Sequence, residues 1–124
     1  MLRRRTILLV EDNEHNRELV EYLLEKAGYT VFMAENALNA RLLFRQKEPD
    51  LVLMDMHLPG RDGLSIVHEF RHDPVGGRTP IVALTAYAMR GDKERFLAAG
   101  CTGYISKPID TKTFVAEVAQ YLPR

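Results

Sequence analysis

The sequence predicts an α/β fold with a doubly wound parallel sheet, on three grounds. Five short apolar runs recur along the chain, at Thr6 to Val10, Tyr29 to Ala34, Leu51 to Asp55, Ile81 to Thr85 and Gly103 to Ser106. Leu51-Val52-Leu53-Met54 is continuously hydrophobic rather than alternating, as in a strand covered on both faces. The segments between the runs carry apolar residues at helical spacing, so strands alternate with helices and imply right-handed βαβ crossovers.

The first strand ends in Glu11-Asp12-Asn13, and a helix is expected from about Glu14 to Ala27. Its apolar face is Leu19, Val20, Leu23, Leu24 and Ala27, and Gly28 supplies the stop. After the second strand, a helix from Ala37 to Gln46 buries Ala40, Leu43 and Phe44. Pro49-Asp50 and Leu58-Pro59-Gly60 are breakers that bound the third strand. A helix from Leu64 to Arg71 presents Ile66, Val67 and Phe70, and Pro80 opens the fourth strand. The helix from Asp92 to Ala99 is polar, with Phe96 and Leu97 as its large apolar residues. A last helix from Thr111 to Tyr121 aligns Phe114, Val115, Val118, Ala119 and Leu122. No internal repeat, linker or low-complexity tract interrupts residues 1–124, which read as one domain.

Composition narrows the function. Hydrophobic content of 46% and charged content of 27% suit a globular domain. Seventeen basic residues balance seventeen acidic ones, so no overall field draws nucleic acid or an anionic membrane. Arg3-Arg4-Arg5 stands beside a strand with no helix-turn-helix segment after it, which argues against nucleic-acid binding. The single cysteine, Cys101, has no CxxC partner and reads as a small buried filler. No apolar run approaches the roughly 20 residues of a membrane span, and the N-terminus lacks a signal-peptide core, so a cytoplasmic protein is expected.

In a sheet of this kind the carboxyl ends of the strands share one edge, where ligands bind. Glu11 and Asp12 follow the first strand, Asp55 ends the third, Thr85 the fourth, and Lys107 follows the fifth. Singly, each has a structural explanation. Asp12 or Asn13 serves as a helix N-cap, Thr85 as a β-branched strand residue, Lys107 as a solvated charge. Together they form a site with three carboxylates, one hydroxyl and one ammonium. Two carboxylates about 5 Å apart at an effective dielectric near 20 repel by roughly 3 kcal/mol. Three are tolerated only if one stays protonated or a cation joins them, and Mg²⁺ suits oxygen ligands so few in number. A carboxylate nucleophile, a metal, an ammonium and a hydroxyl are the parts that phosphoryl transfer onto an aspartate requires.

Four motifs now carry a family resemblance. They are Ile7 to Asn13, Leu53 to Gly63 (Leu-Met-Asp-Met-His-Leu-Pro-Gly-Arg-Asp-Gly), Ala83-Leu84-Thr85-Ala86 and Tyr104-Ile105-Ser106-Lys107-Pro108. In this order and spacing the chain resembles a response-regulator receiver domain of two-component signalling, similar to a chemotaxis regulator. The resemblance implies a flavodoxin-like sheet of order 2-1-3-4-5 with five helices. It implies Asp55 as phosphoacceptor, with Glu11, Asp12, Asp55 and the backbone carbonyl of His57 as Mg²⁺ ligands. Thr85 and Lys107 would contact the phosphoryl group, and Thr85 and Tyr104 would form the switch. Lys107-Pro108 is the expected cis peptide. His57 and Tyr87 fall at positions that tune phosphate lifetime in the family. The implied protein is a signalling switch, not an enzyme beyond its own phosphotransfer and autodephosphorylation. Its expected partners are a histidine kinase or histidine phosphotransfer protein as donor, and a target on the face of the fourth helix, fifth strand and fifth helix. It is expected to be a monomer or weak dimer without nucleic-acid or membrane partners, and a stand-alone regulator rather than a receiver excised from a hybrid histidine kinase or multidomain regulator.

Two rival functions fit less well. A metal-dependent phosphatase with an aspartyl nucleophile, of the haloacid-dehalogenase type, carries a second aspartate two residues after the first, where this chain has His57. A flavin-binding flavodoxin needs a phosphate-cradling loop after the first strand, where Glu11-Asp12-Asn13-Glu14 would repel phosphate. His15, His68 and His72 are scattered along polar stretches, which argues against a histidine-ligated transition metal.

Overall fold

The computed structural model describes residues 4–58, 63–74, 76–86 and 91–123. Tyr87 lies outside the described residues, as do Arg3 and the Pro59, Gly60, Arg61 and Asp62 part of the third-strand motif. Five strands and five helices alternate along the described chain. They are β1 (Thr6–Val10), α1 (Glu14–Lys26), β2 (Thr30–Ala34), α2 (Ala37–Lys47), β3 (Leu51–Asp55), α3 (Gly63–Arg71), β4 (Ile81–Thr85), α4 (Asp92–Ala99), β5 (Gly103–Ser106) and α5 (Phe114–Tyr121).

All four strand pairings are parallel and the order is β2-β1-β3-β4-β5, as the resemblance implied. β3 is central and all five of its residues are buried, which is why its sequence does not alternate. Its entry is held to β1 by Asp50, whose carboxylate accepts from the Thr6 N–H at 2.8 Å while its own N–H donates to the Thr6 carbonyl at 2.9 Å.

Side chains alternate across the sheet into two cores. One holds Ile7, Leu9, Leu51, Leu53, Val82, Leu84 and Ile105 beneath Val20 and Leu24 of α1 and Phe114 and Val118 of α5. The other holds Leu8, Val10, Val52, Met54, Ile81 and Ala83 against Ala40 and Phe44 of α2, Ile66, Val67 and Phe70 of α3, and Phe96 of α4. There Phe44 stacks on Phe70 with ring centroids 4.0 Å apart. Cys101 is buried in the same core, as its sequence context suggested.

The helix faces differ from the sequence expectation in three places. Ala27 caps α1 and is exposed, because Gly28 at φ 101° already turns the chain and Tyr29 N–H bonds back to the Leu24 carbonyl at 3.0 Å. Ala119 of α5 is also exposed. α5 begins at Phe114, not Thr111, because the Asp110 carboxylate captures the Lys112 N–H at 2.9 Å and organises a turn ahead of the helix.

Candidate functional site

The carboxyl edge of the sheet assembles the residues singled out in the sequence. Glu11 leaves β1 as its N–H extends the ladder to the Ala34 carbonyl at 2.9 Å. Asn13, not Asp12, is the N-cap of α1, accepting from the Asn16 N–H at 2.9 Å. Asp12 is thereby spared a capping role and stays exposed. Asp55 ends β3 and is only 2% exposed. Thr85 ends β4 fully buried, and Lys107 follows β5 with its N–H on the Thr85 carbonyl at 2.7 Å. The Lys107–Pro108 peptide is cis, as expected.

Alternation explains which side chains meet. Glu11, Asp55 and Lys107 each stand two residues beyond a side chain of the α1/α5 core, namely Leu9, Leu53 and Ile105. Lys107 Nζ donates to Glu11 Oε1 at 2.8 Å and lies 3.3 Å from Asp55 Oδ1. The His57 N–H donates to Asp55 Oδ1 at 3.0 Å, while the imidazole is exposed. Thr85 follows Ala83 on the opposite face, and Ala83 is level with Tyr104 in the β4–β5 register. Tyr104 is half-buried against the α2–α4 core, so Thr85 and Tyr104 share a face.

Ligand oxygens of Glu11, Asp12 and Asp55 lie within 4.8 Å of one another. Burial pushes the Glu11 carboxyl up to about 6, and its hydrogen bond with Asp55 adds to the rise. Burial also opposes the Asp55 charge, but donation from Glu11, the His57 N–H and Lys107 outweighs it and holds Asp55 below the usual carboxylate range. Burial works against the Lys107 ammonium too, and is overcome by the hydrogen bond to Glu11 and the charge of Asp55, which raise it. Among the protein's own groups, a proton on Glu11 halves the excess negative charge, leaving −1. With all three acids ionised and Lys107 charged, the net charge is −2, which one divalent cation cancels. The all-oxygen donor set suits Mg²⁺. The residues fit that metal.

Two arginines outside the motifs, and the last glycine of the third-strand motif, also shape the site and its surroundings. Arg17 Nη1 donates to the Glu11 and Asp12 carbonyls at 3.0 and 2.8 Å and fixes the acidic loop. A Cβ on Gly63 would stand 2.8 Å from Met56 Cα and 2.9 Å from the Asp55 carbonyl, so only glycine lets α3 start beside the site. Arg71 donates to the Gly100 carbonyl at 2.7 Å, to the carbonyls of Gly77 and Thr79, and to Thr102 Oγ1. An arginine carries no mark of which carbonyls it will meet, whether they lie five and six residues away, as for Arg17, or 29 away, as for Arg71 and Gly100. His68 and His72, by contrast, are not scattered. Four residues apart at the end of α3, they bring their ring centroids within 4.3 Å.

A family profile for the response regulator receiver domain matches residues 7–119. The chain is 41% identical over 118 residues to the polar-differentiation response regulator DivK of Brucella anthropi, covering 95% of this chain and 96% of that one. The chain belongs to the response-regulator receiver family. Among solved receiver structures, the chemotaxis protein CheY4 of Vibrio cholerae superposes with a TM-score of 0.92 at 27% identity, covering 97% of this chain and all of that one. The receiver domain of a sensor histidine kinase from Pseudomonas aeruginosa, solved with a magnesium ion coordinated in its active-site cleft, has a TM-score of 0.86 at 36% identity, with coverage of 96% and 98%. Receiver domains are signalling switches that accept phosphate from histidine kinases, bind Mg²⁺ at an acidic pocket and act on downstream targets. Among the described residues no helix is long and apolar enough to cross a membrane.

Proposed function

We propose that this receiver is a phosphoacceptor switch in which Asp55 takes a phosphoryl group from a phosphohistidine donor. The observation that carries the reading is a buried Asp55 with Lys107 Nζ at 3.3 Å and ligand oxygens of Glu11 and Asp12 within 4.8 Å. In the transfer, an Asp55 carboxylate oxygen forms the new O–P bond while the donor's N–P bond breaks and its electron pair stays on the imidazole. Glu11, Asp12, Asp55 and the His57 carbonyl are the residues that would hold Mg²⁺. When bound, the metal neutralises charge on the phosphoryl oxygens. Lys107 pairs with the transferred group, and the Thr85 hydroxyl donates to it. A cavity of about 430 Å³ beside Lys107, lined by Leu19, Ala86, Pro108 and Ile109 among others, gives the donor an apolar place to dock.

Phosphorylation adds nearly two negative charges and three acceptor oxygens at Asp55. Drawing Thr85 toward them frees space on the face it shares with Tyr104, and the ring turns inward. α4 is suited to follow. Phe96 is its one buried residue, Leu97 is 45% exposed, and its N-cap Gly91 offers no side-chain bond. The readout surface is α4, β5 and α5, where Tyr104, Asp110, Glu117 and Tyr121 help line a depression of about 500 Å³. The donor is a histidine kinase or histidine phosphotransfer protein, and the switch works in the cytoplasm as a monomer or weak dimer. The 36% identity to a sensor-kinase receiver supports a second setting, in which the same chemistry serves a module of a hybrid histidine kinase. Tyr104→Ala should abolish phosphate-dependent discrimination by a target while leaving phosphorylation intact.

The test is intact-mass measurement after incubation with acetyl phosphate, with and without Mg²⁺, alongside Asp55→Asn. A Mg²⁺-dependent gain of one phosphoryl group, lost in the variant, is expected. A gain that persists in the variant would refute Asp55 as the acceptor.

A further inference from the structure

His68 lies in the last turn of α3 and His72 comes four residues later, so both project from the same side of the helix end. Their ring planes are inclined by 46° with centroids 4.3 Å apart, and both side chains are exposed. Nδ1 of His72 lies 2.8 Å from the His68 carbonyl oxygen. A carbonyl can only accept, so this nitrogen carries a proton and, in the neutral ring, Nε2 keeps its lone pair. Metal-ligating histidines are oriented in this way, the second ring nitrogen donating to a carbonyl or carboxylate.

We propose that His68 and His72 form a two-imidazole site for a borderline divalent transition ion of the Zn²⁺, Ni²⁺ and Cu²⁺ class. Two metal–nitrogen bonds of about 2.1 Å at a tetrahedral angle set the nitrogens roughly 3.4 Å apart. Each ring centroid lies about 1.1 Å beyond its ligating nitrogen, so the centroids must part to roughly 5.3 Å, a shift of about 1 Å from the present 4.3 Å that two exposed side chains can make by turning about their χ angles. The ion would also sit at the carbonyl end of α3, where the helix dipole favours positive charge. The adjacent carboxylates are already engaged, Glu69 with Arg41 at 2.9 Å and Asp73 with Arg45 at 3.2 Å. Water therefore completes the coordination, and affinity rests on the two imidazoles. That donor set separates this site from the acidic one. Mg²⁺ prefers oxygen ligands and keeps its waters, whereas imidazole favours the later transition ions. The sites are also apart in space, since α3 starts beside Asp55 and its nine residues carry His72 roughly 14 Å along the axis.

The experiment is a Zn²⁺ titration of the full chain in saturating Mg²⁺, followed through the imidazole resonances by NMR. His68 and His72 signals should move together and saturate at one ion per chain, with His15 and His57 unmoved. His68→Asn and His72→Asn should each weaken binding by at least roughly tenfold, while His15→Asn binds as the parent does. Both replaced rings are exposed, so unchanged thermal unfolding will show that the variants fold. Unchanged Zn²⁺ affinity in the two variants, or shifts led by His57 beside the acidic cluster, would overturn the proposal.

Discussion

Glu11→Gln offers a quantitative check on the electrostatics of the site. The Glu11 carboxyl is 1% exposed and titrates at about 6, against an ordinary value of 4.5. Its folded value is the higher one, so the native state binds more protons than the unfolded chain between those pH values, and stability falls as pH rises through them. A shift of this size corresponds to about 2 kcal/mol, all of it felt above pH 6. Glutamine keeps the shape of the protonated acid and cannot ionise. In chelator-containing buffer, the stability of the variant relative to the parent should therefore rise by about 2 kcal/mol between pH 4.5 and about pH 7.5. In melting temperature the change is on the order of 5–10 °C. Asp55, with its depressed value, contributes stability that is lost as pH falls through its titration, and because both proteins carry it that contribution largely cancels in the comparison. Urea unfolding at several pH values is the assay. Parallel curves, with a difference between the two proteins that does not depend on pH, would refute the account of a proton held on Glu11. Adding Mg²⁺ at neutral pH should reverse the order, since the parent gains a cation for its third charge and the variant has one ligand fewer.

Arg71→Ala should lower stability by about 3–5 kcal/mol in urea titrations, because the guanidinium serves the segment before β4, the end of α4 and the turn into β5 at once. Gly63→Ala should reduce Mg²⁺-dependent phosphorylation at least roughly tenfold while unfolding only about 1–3 kcal/mol more easily, since the added methyl presses on the backbone of Asp55 and Met56. Burial pushes the Cys101 thiol up to about 11, so a disulfide reagent at mildly alkaline pH should modify it only at the rate of unfolding. A fast reaction of the native protein would show that the α2–α4 core is open there.

Much of this was legible in the sequence, for identifiable reasons. Continuous apolar runs such as Leu51 to Met54 mark strands buried on both faces, and parallel connections bring the carboxyl ends of those strands to one edge. Glu11, Asp12, Asp55, Thr85 and Lys107 could therefore be gathered from the amino-acid order. The choice between Asp12 and Asn13 as N-cap could not be made, because both types cap equally well. The sequence does not mark the start of α5, because Thr111 and Lys112 are compatible with a helix and the Asp110 hydrogen bond diverts them. Gly63 stands in the third-strand motif, but its close approach to Met56, like the carbonyls that Arg17 and Arg71 meet, is set by the folded backbone. The His68 and His72 spacing was visible, yet its meaning depended on both falling within one continuous helical turn.

The two-sided arrangement of the sheet has a consequence for how this receiver fails. Glu11, Asp55 and Lys107 hang over the α1/α5 layer, whereas Thr85 and Tyr104 look into the layer of α2, α3 and α4. On the proposed reading, receiving the signal and reporting it fall to opposite layers, and Thr85, which donates to the phosphoryl group, is the link between them. Lesions should sort accordingly. Damage on the first side leaves a protein deaf to its donor, with its resting shape intact. Damage at Tyr104, beyond the Thr85 link, leaves one that hears and stays mute, and so diverts phosphate without answering.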